Sequence, residues 1–222
     1  MIESREISDR RLGREEFDLP EDGFVFCCFN NNYKILPSTF DSWMRVLKQV
    51  DGSVLWLLSE NQTAIANLRK EASSRGIDPA RLVFAKRKER REHLARHRLA
   101  DLFLDTLPYN AHTTASDALW AGLPVLTQFG NAFAARVSAS LLTAIGLSEL
   151  ITYSPEEYEI LAIELAQNDQ KLKAIKERLS RNRLTAPLFD TPLYTKHLEA
   201  AYKEIYRRHK AGLPPDHIEV PA

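Results

Sequence analysis

Short apolar runs of strand length alternate along the chain with longer segments in which apolar positions recur at helical spacing. The apolar runs are rich in Val, Leu and Phe, which is typical of buried strands. We predict strands at 24–29, 53–58, 82–85, 99–104, 124–127 and 150–152. Strands that alternate with helices build parallel sheets, so the pattern predicts an α/β fold with a doubly wound, Rossmann-like parallel sheet.

Helices are predicted between and after these strands. One helix begins at Pro37 and another ends near residue 98, and the rest are expected at 61–74, 113–121, 132–145, 155–167, 169–183 and 191–208. Ser38 and Asp41 have the spacing of a capping box at the start of the first helix. Its apolar face is expected to enter the core through Phe40, Trp43, Met44 and Leu47.

The chain is predicted to consist of a polar lead-in over 1–22, one α/β domain over 23–212 and a flexible tail over 213–222. Its 222 residues suffice for one domain with a core that folds alone. Lysine and arginine together number 30, as do aspartate and glutamate, so the formal net charge is +0. Nucleic acids and anionic membrane surfaces attract a basic field, so this balance argues against both as partners.

Apolar runs and cysteines in the sequence indicate where in the cell the protein is expected. No apolar run approaches the roughly 20 residues of a membrane span, and the N-terminal segment has no apolar signal-peptide core. The two cysteines, Cys27 and Cys28, are adjacent in a predicted strand, where side chains point to opposite faces. They are predicted to be reduced core residues without metal-ligand spacing around them. These features predict a cytoplasmic protein.

The stretch 99–128 carries the strongest candidate site, since it combines a strand, a loop, a short helix and a second strand. Thr113 or Thr114 is predicted to cap the helix, with Asp117 in its first turn. A helix start offers free N–H groups and partial positive charge and therefore binds phosphate, and His112 stands just before it. The plainer alternative is that these residues only cap the helix, form the loop and complement the dipole. The G-x-G-x-x-G and G-x-x-x-x-G-K-[ST] motifs do not occur, which disfavours a dehydrogenase or a P-loop enzyme.

A set of motifs occurs in one order along the chain. They are FNNNYKI at 29–35, LWLL at 55–58, EHL at 92–94, LADLFLDT at 99–106, HTT, DALWAG and PV within 112–125, ELI at 149–151, EYE at 157–159 and PLFDT at 187–191. From about Phe24 to the C-terminus, this set closely resembles the C-terminal catalytic half of the O-linked N-acetylglucosamine transferases and their SPINDLY-like relatives. The resemblance implies that the predicted sheet is the C-terminal half of a B-type glycosyltransferase fold.

The resemblance also implies roles around the phosphates of a nucleotide sugar. Lys34 would contact the diphosphate and stabilise it as the leaving group, which makes it the candidate catalytic residue. Asn31 stands where the family often has glutamine near the phosphates, and its amide is shorter by one methylene. The HTT motif would bind the sugar and phosphates through His112, Thr113 and Thr114, and Asp117 would accept hydrogen bonds from the ribose hydroxyls.

The basic segment over 86–98 would face the nucleoside in such a family member. His93 matches a histidine packed near the base, and Arg90 matches a basic position beside ribose and base. The backbone at Lys88 would meet the uracil edge, and Arg96 is a further candidate. This segment departs from the animal-type pattern because it has extra charges and no proline. A solvated helix face is the plainer interpretation of a charge run.

The activity implied is inverting transfer of N-acetylglucosamine from UDP-GlcNAc to Ser or Thr hydroxyls of proteins. No metal or other cofactor is expected, since Lys34 and the helix start would supply positive charge and no Asp-x-Asp pair is present. The family's N-terminal catalytic half and helical repeats are absent from this sequence. The chain is therefore expected to be a domain of a longer enzyme or a short reading frame, with weak nucleotide binding and little or no activity alone.

Two alternatives remain open at the level of sequence. One is a non-catalytic module that binds a nucleotide sugar or a partner and self-associates through the apolar face that a second half would otherwise cover. The other is a protein O-fucosyltransferase that uses GDP-fucose, which the SPINDLY-like resemblance allows. Binding of uridine and guanosine diphosphates would separate these alternatives from the main interpretation.

Overall fold

The computed structural model describes residues 6–220 and contains one six-stranded, wholly parallel sheet. The strand order is β3-β2-β1-β4-β5-β6. The strands are β1 Val25–Cys28, β2 Val54–Leu58, β3 Leu82–Ala85, β4 Leu102–Leu104, β5 Val125–Gln128 and β6 Ile151–Thr152. Strand order reverses between β1 and β4, which is the doubly wound topology, so the predicted fold class is confirmed.

Helices connect the strands and complete the C-terminal part of the domain. They are α1 Pro37–Gln49, α2 Gln62–Ser74, α3 Arg90–Arg96, α4 Thr113–Ala121, α5 Val137–Ala144, α6 Pro155–Gln167, α7 Asp169–Thr185 and α8 Thr191–Lys210. The helix predicted over 132–145 is divided into a 3₁₀ turn, Phe133–Ala135, and α5. No helix within residues 6–220 is long and apolar enough to cross a membrane.

The core lies between the sheet and the helices that pack on it. The predicted apolar face of α1 is buried, as are Cys27 and Cys28, which are both free thiols. The predicted capping box is wrong, because α1 begins at Pro37 after Leu36 and has no side-chain cap. Proline suits the first position of a helix since that position needs no N–H partner. Asp41 instead pairs with Arg75, with 2.6 Å between Oδ1 and Nε.

The lead-in is fastened to the domain over its described part. Arg14 lies in a 3₁₀ turn, Arg14–Phe17, and donates hydrogen bonds to the carbonyl oxygens of Leu99 at 3.1 Å and Gly23 at 2.7 Å. Its guanidinium also pairs with Asp101 at 2.8 Å. Phe17 packs edge-on against the buried Trp56, with ring centroids 5.3 Å apart. These contacts hold the lead-in at the amino-terminal ends of β1 and β4.

A crevice forms where the strand order reverses. The carboxyl ends of parallel strands meet at one edge of a sheet, and the connections from two neighbouring strands leave in opposite directions at a reversal. Here the neighbouring strands are β1 and β4, whose register pairs Phe26 with Leu102 and Cys27 with Phe103. The segments after β1 and β4 therefore face each other across the crevice.

Candidate functional site

A cleft of about 460 Å³ opens at the carboxyl ends of β1, β3 and β4. Its volume lies in the range of small-molecule and cofactor sites. Eight of the ten predicted site residues line it: Asn31, Lys34, Lys88, His93, Arg96, His112, Thr113 and Thr114. The other two, Arg90 and Asp117, face each other with 3.9 Å between Nη2 and Oδ1. The structure thus places residues from three separate stretches of sequence around one cleft.

Lys34 reaches from β1 to the loop after β4. It ends the 3₁₀ turn Asn32–Lys34 that follows β1, and it is half-buried. Its ammonium donates a hydrogen bond of 2.9 Å to the backbone oxygen of Asn110 and lies 3.7 Å from the ring centroid of Tyr109. Asn110 precedes His112 by two residues. The ammonium is therefore held on the side of the cleft where α4 begins.

The start of α4 lacks a side-chain cap, so the prediction that Thr113 or Thr114 caps it is wrong. The residue at the cap position is His112, which makes no side-chain cap hydrogen bond. Thr114 is committed elsewhere, because its hydroxyl donates to Oδ1 of Asn30 at 2.5 Å. The first-turn N–H groups of α4 are thus left without a side-chain cap beside the cleft, an arrangement that favours an anion.

Asp117 lies deeper in α4 than predicted. The first turn of this helix contains no acidic residue, so the expected complement to the dipole at that place is wrong. The side chain is buried and faces Arg90. A carboxylate placed beyond the first turn leaves the positive end of the helix unopposed by acidic charge on the helix itself. This keeps the start of α4 suited to phosphate.

Two buried polar residues that the sequence did not point to organise the loop after β4. Asp105 accepts hydrogen bonds from the N–H of Thr106 at 2.7 Å, the N–H of Ala111 at 2.6 Å and the hydroxyl of Thr127 at 2.7 Å. Asn30 donates to the Thr106 hydroxyl at 2.8 Å. Burial raises the pKa of the Asp105 carboxyl. The available signal in the sequence was a polar residue directly after each of two apolar runs, since Asn30 follows the run over 24–29 and Asp105 follows the run over 99–104.

Arg96 supports the wall of the cleft that His93 and Lys88 line. The residue is 1% exposed. Its guanidinium donates to the backbone oxygen of Lys86 at 2.6 Å and lies 2.5 Å from Nδ1 of His93. Arginine has donors only, so Nδ1 of His93 accepts and the ring proton belongs on Nε2. Arg96 thereby orients His93 and the segment that carries Lys88, which sequence reasoning had not foreseen.

We predict that His93 and His97 stay neutral at physiological pH. Burial, aided by the charge of Arg96, lowers the pKa of His93 to about 3 and that of His97 to about 4. An unfolded histidine binds a proton near a pH of about 6.5, so acid favours the unfolded chain. The free energy of unfolding should fall as the pH drops from about 6.5 towards 4.

Nuclear magnetic resonance and denaturation with urea at several pH values check this prediction. The ring resonances of both histidines should not titrate between about pH 8 and pH 5.5. A titration of either ring within that range would contradict the neutral state. A free energy of unfolding that stays constant over the acidic range would contradict the linkage.

The residues that the structure describes contain no group of three or more His, Cys, Asp or Glu side chains able to hold a metal ion. Positive charge at the cleft comes instead from the Lys34 ammonium, from the uncapped start of α4 and from basic residues of the segment 86–96. The prediction that transfer needs no metal is not tested by these observations and stays a prediction.

The chain is similar to known proteins over most of its length. Residues 8–198 match the model of glycosyl transferase family 41. The chain is 41% identical over 208 residues to the probable UDP-N-acetylglucosamine–peptide N-acetylglucosaminyltransferase SEC of Arabidopsis thaliana, which covers 93% of this chain and 21% of the relative. It is 31% identical over 202 residues to the protein of Hordeum vulgare named probable UDP-N-acetylglucosamine–peptide N-acetylglucosaminyltransferase SPINDLY. This match covers 87% of this chain and 21% of the relative.

A solved structure is similar over the same region. It is a mutant of the O-GlcNAc transferase of Thermobaculum terrenum, with a TM-score of 0.79 and 30% sequence identity. The similarity covers 86% of this chain and 39% of that chain. The chain spans about a fifth of the length of the two plant relatives. Since the family model covers most of its residues, the chain belongs to glycosyl transferase family 41.

Proposed function

We propose that this chain is the donor-binding half of an inverting glycosyltransferase that moves N-acetylglucosamine from UDP-GlcNAc to Ser or Thr hydroxyls of proteins, without a metal ion. One observation carries the proposal: the Lys34 ammonium and the uncapped start of α4 line the same cleft. Both are positive, and both come from the reversal of strand order between β1 and β4. A diphosphate bound there would meet positive charge from two sides.

Such a pair of charges serves the chemistry as well as the binding. When the glycosidic bond breaks, negative charge grows on the departing nucleotide diphosphate. Groups that are already fixed in place stabilise this charge more in the transition state than in the ground state, which lowers the barrier. Lys34 and the N–H groups at Thr113 and Thr114 are proposed for this role, with Asn31 beside the phosphates. These groups would supply the positive charge that a divalent cation supplies in other enzymes.

The nucleoside is proposed to lie towards α3. His93 would present its ring and its Nε2–H to the base, in an orientation held by Arg96 at 2.5 Å. The backbone at Lys88 would meet the uracil edge. Arg90 and Asp117, with 3.9 Å between Nη2 and Oδ1, are close enough to hydrogen-bond the ribose hydroxyls together, Asp117 as acceptor and Arg90 as donor. Together with the phosphate groups, this orientation gives a role to nine of the ten site residues predicted from the sequence, all except His112.

Calorimetric titration with UDP and with GDP tests the choice of nucleotide. We expect heat of binding with UDP and a much weaker response with GDP, because His93 and the Lys88 backbone are proposed to read the smaller base. Both plant relatives, at 41% and 31% identity, are named as UDP-N-acetylglucosamine–peptide N-acetylglucosaminyltransferases, which supports UDP-GlcNAc over GDP-fucose. Preference for GDP would overturn this choice, and binding to neither nucleotide would overturn the donor-binding role.

We further predict that the purified chain transfers little or no N-acetylglucosamine to protein by itself. It spans 39% of the solved transferase that it resembles, and the rest of such an enzyme would supply the other wall of the cleft and the acceptor site. A transfer assay with labelled UDP-GlcNAc and a Ser- or Thr-rich peptide measures this directly. Robust labelling of the peptide would contradict the prediction. UDP binding without labelling is the expected result, and it would equally suit a non-catalytic module until the other half is supplied.

The other half is proposed as the natural partner of this domain, with helical repeats ahead of it. Addition of a relative's N-terminal catalytic half in trans would distinguish the two remaining interpretations. Recovery of labelling is expected for a donor-binding half. Binding of UDP with no recovery would favour the module. We also propose a cytoplasmic location, which the free thiols Cys27 and Cys28 support.

A further inference from the structure

We infer that Tyr109 is a positioning residue that holds the Lys34 ammonium at the phosphate end of the cleft. The inference rests on the proposed function and adds a residue to it. Tyr109 lies in the loop between β4 and α4 and is 40% exposed. The centroid of its ring is 3.7 Å from Nζ of Lys34. The negative face of an aromatic ring attracts an ammonium at this distance.

The same ring also contacts the residue at the start of α4. The rings of Tyr109 and His112 lie edge to face, with centroids 5.0 Å apart and planes at 68°. Tyr109 therefore lies between the two groups that are proposed to meet the diphosphate. Any movement of its ring would change the place of the ammonium relative to the helix start.

The loop that carries Tyr109 is held firmly by its own hydrogen bonds. The Thr106 hydroxyl donates to the Tyr109 backbone oxygen at 2.7 Å. Asn110 is fully buried, and its side-chain amide donates to the backbone oxygen of Thr106 at 2.8 Å. Its backbone N–H donates to Ala134 at 2.9 Å. The two partners of Lys34, the Tyr109 ring and the Asn110 carbonyl, thus come from adjacent residues of one fixed loop.

The Tyr109 ring and the Asn110 carbonyl carry no net charge, so they hold the Lys34 ammonium without neutralising it. No salt bridge within the described residues 6–220 involves Lys34. A carboxylate partner would neutralise the ammonium and compete with phosphate for it. A ring face and a carbonyl hold the ammonium in place and leave its full charge for an anion. The remaining N–H donors of the ammonium are free to bind phosphate oxygens after Asn110 has taken one.

A double-mutant cycle tests the inference. Tyr109→Leu should weaken UDP binding by about five- to tenfold, because the ammonium loses the aromatic ring that holds it in place. Tyr109→Phe should bind like the parent, since the ring face is kept. In the Lys34→Ala background, Tyr109→Leu should have no further effect, because its action passes through Lys34. Uridine lacks phosphate, so its affinity should be the same in the parent and in all four variants.

A measurement on the free protein separates this inference from the proposed function. The ring current of Tyr109 should shift the side-chain ε-proton resonances of Lys34 upfield. The shift should persist in Tyr109→Phe and be lost in Tyr109→Leu. Tyr153→Leu, at an exposed tyrosine that packs on Phe129 rather than on Lys34, is the matched control and should leave both the shift and UDP binding unchanged.

Either of two results would overturn the positioning role. One is an unshifted Lys34 resonance in the parent protein, which would show that the ring does not face the ammonium. The other is an equal loss of UDP affinity from Tyr109→Leu in the parent and in the Lys34→Ala background. A parent protein that shows the shifted Lys34 resonance but binds no UDP would instead overturn the proposed function and leave the contact standing.

Discussion

Lys34→Ala is expected to weaken UDP binding by about ten- to a hundredfold, because a charge-assisted hydrogen bond contributes about 1.5–3 kcal/mol. The loss of affinity should grow with the negative charge of the ligand, so it should be larger for UDP than for UMP and small for uridine. The structural reason is the position of the ammonium, which lies 2.9 Å from the Asn110 oxygen in the loop that leads into α4. Titration calorimetry with the three ligands measures the series.

Lys48→Ala is the matched control for this prediction. Lys48 is an exposed lysine near the carboxyl end of α1, and this helix runs away from the cleft towards the amino-terminal edge of the sheet. Its removal changes the net charge by the same amount without touching the cleft. Equal losses from Lys34→Ala and Lys48→Ala would mean that UDP senses only the overall charge of the protein. A loss of uridine affinity equal to that of UDP would place Lys34 away from the phosphates.

The second large effect is expected at Asp105. Asp105→Ala should destabilise the protein by about 3 kcal/mol or more. It leaves the buried N–H groups of Thr106 and Ala111 and the Thr127 hydroxyl without their acceptor, and each unpaired buried donor costs about 1–3 kcal/mol. Asp105→Asn should cost about 1 kcal/mol or less. Its amide oxygen can still accept from Thr106 and Ala111, and its amide nitrogen can donate to the Thr127 hydroxyl, which can turn round to accept. Urea denaturation of the three proteins measures the differences.

The pH dependence of Asp105→Asn gives a sharper test. Burial raises the pKa of the Asp105 carboxyl, so the folded state keeps a proton that the unfolded chain has already released. The contribution of this carboxyl to stability is therefore fully present below its unfolded pKa of about 3.9 and is lost as the pH rises through the folded value. The parent should lose stability relative to Asp105→Asn as the pH is raised from about 4.

Asp51→Asn is the control for that comparison, since Asp51 is an exposed carboxylate at the opposite edge of the sheet. It should leave the free energy of unfolding and its pH dependence close to those of the parent. A parent that gains stability relative to Asp105→Asn as the pH rises would reverse the sign and refute the raised pKa. Asp105→Ala as stable as the parent would refute the role of Asp105 in ordering the loop.

The order of strands and helices could be predicted from the pattern of apolar residues, but their ends often could not. The strand expected over 99–104 is observed only over Leu102–Leu104. Leu99 ends a 3₁₀ turn, and Asp101 is drawn to Arg14 and to the N–H of Val25. Both partners are far from Asp101 in sequence. A local pattern therefore shows that a strand is present and does not show where competing long-range bonds end it.

In the candidate site too, the sequence predicted some features, and long-range contacts decided others. The family resemblance pointed to Lys34, residue types pointed to the helix start near Thr113, and the structure places both at one cleft. The capping prediction failed because the Thr114 hydroxyl binds Asn30, 84 residues away. Tyr109 carries no signal in the sequence, because nothing in a loop sequence shows that its ring lies 3.7 Å from the ammonium of Lys34, which follows another strand.

By itself, the sequence determined which segments become strands and helices and which of them end in chemically useful residues, because those properties depend on periodicity and composition within a few residues. Only the tertiary structure decided which of these ends share a cleft. Parallel pairing of β1 with β4 brings Asn30 and Lys34 to the loop that Asp105 organises. That loop then fixes where positive charge stands, since buried donors and acceptors must find partners wherever the fold has placed them.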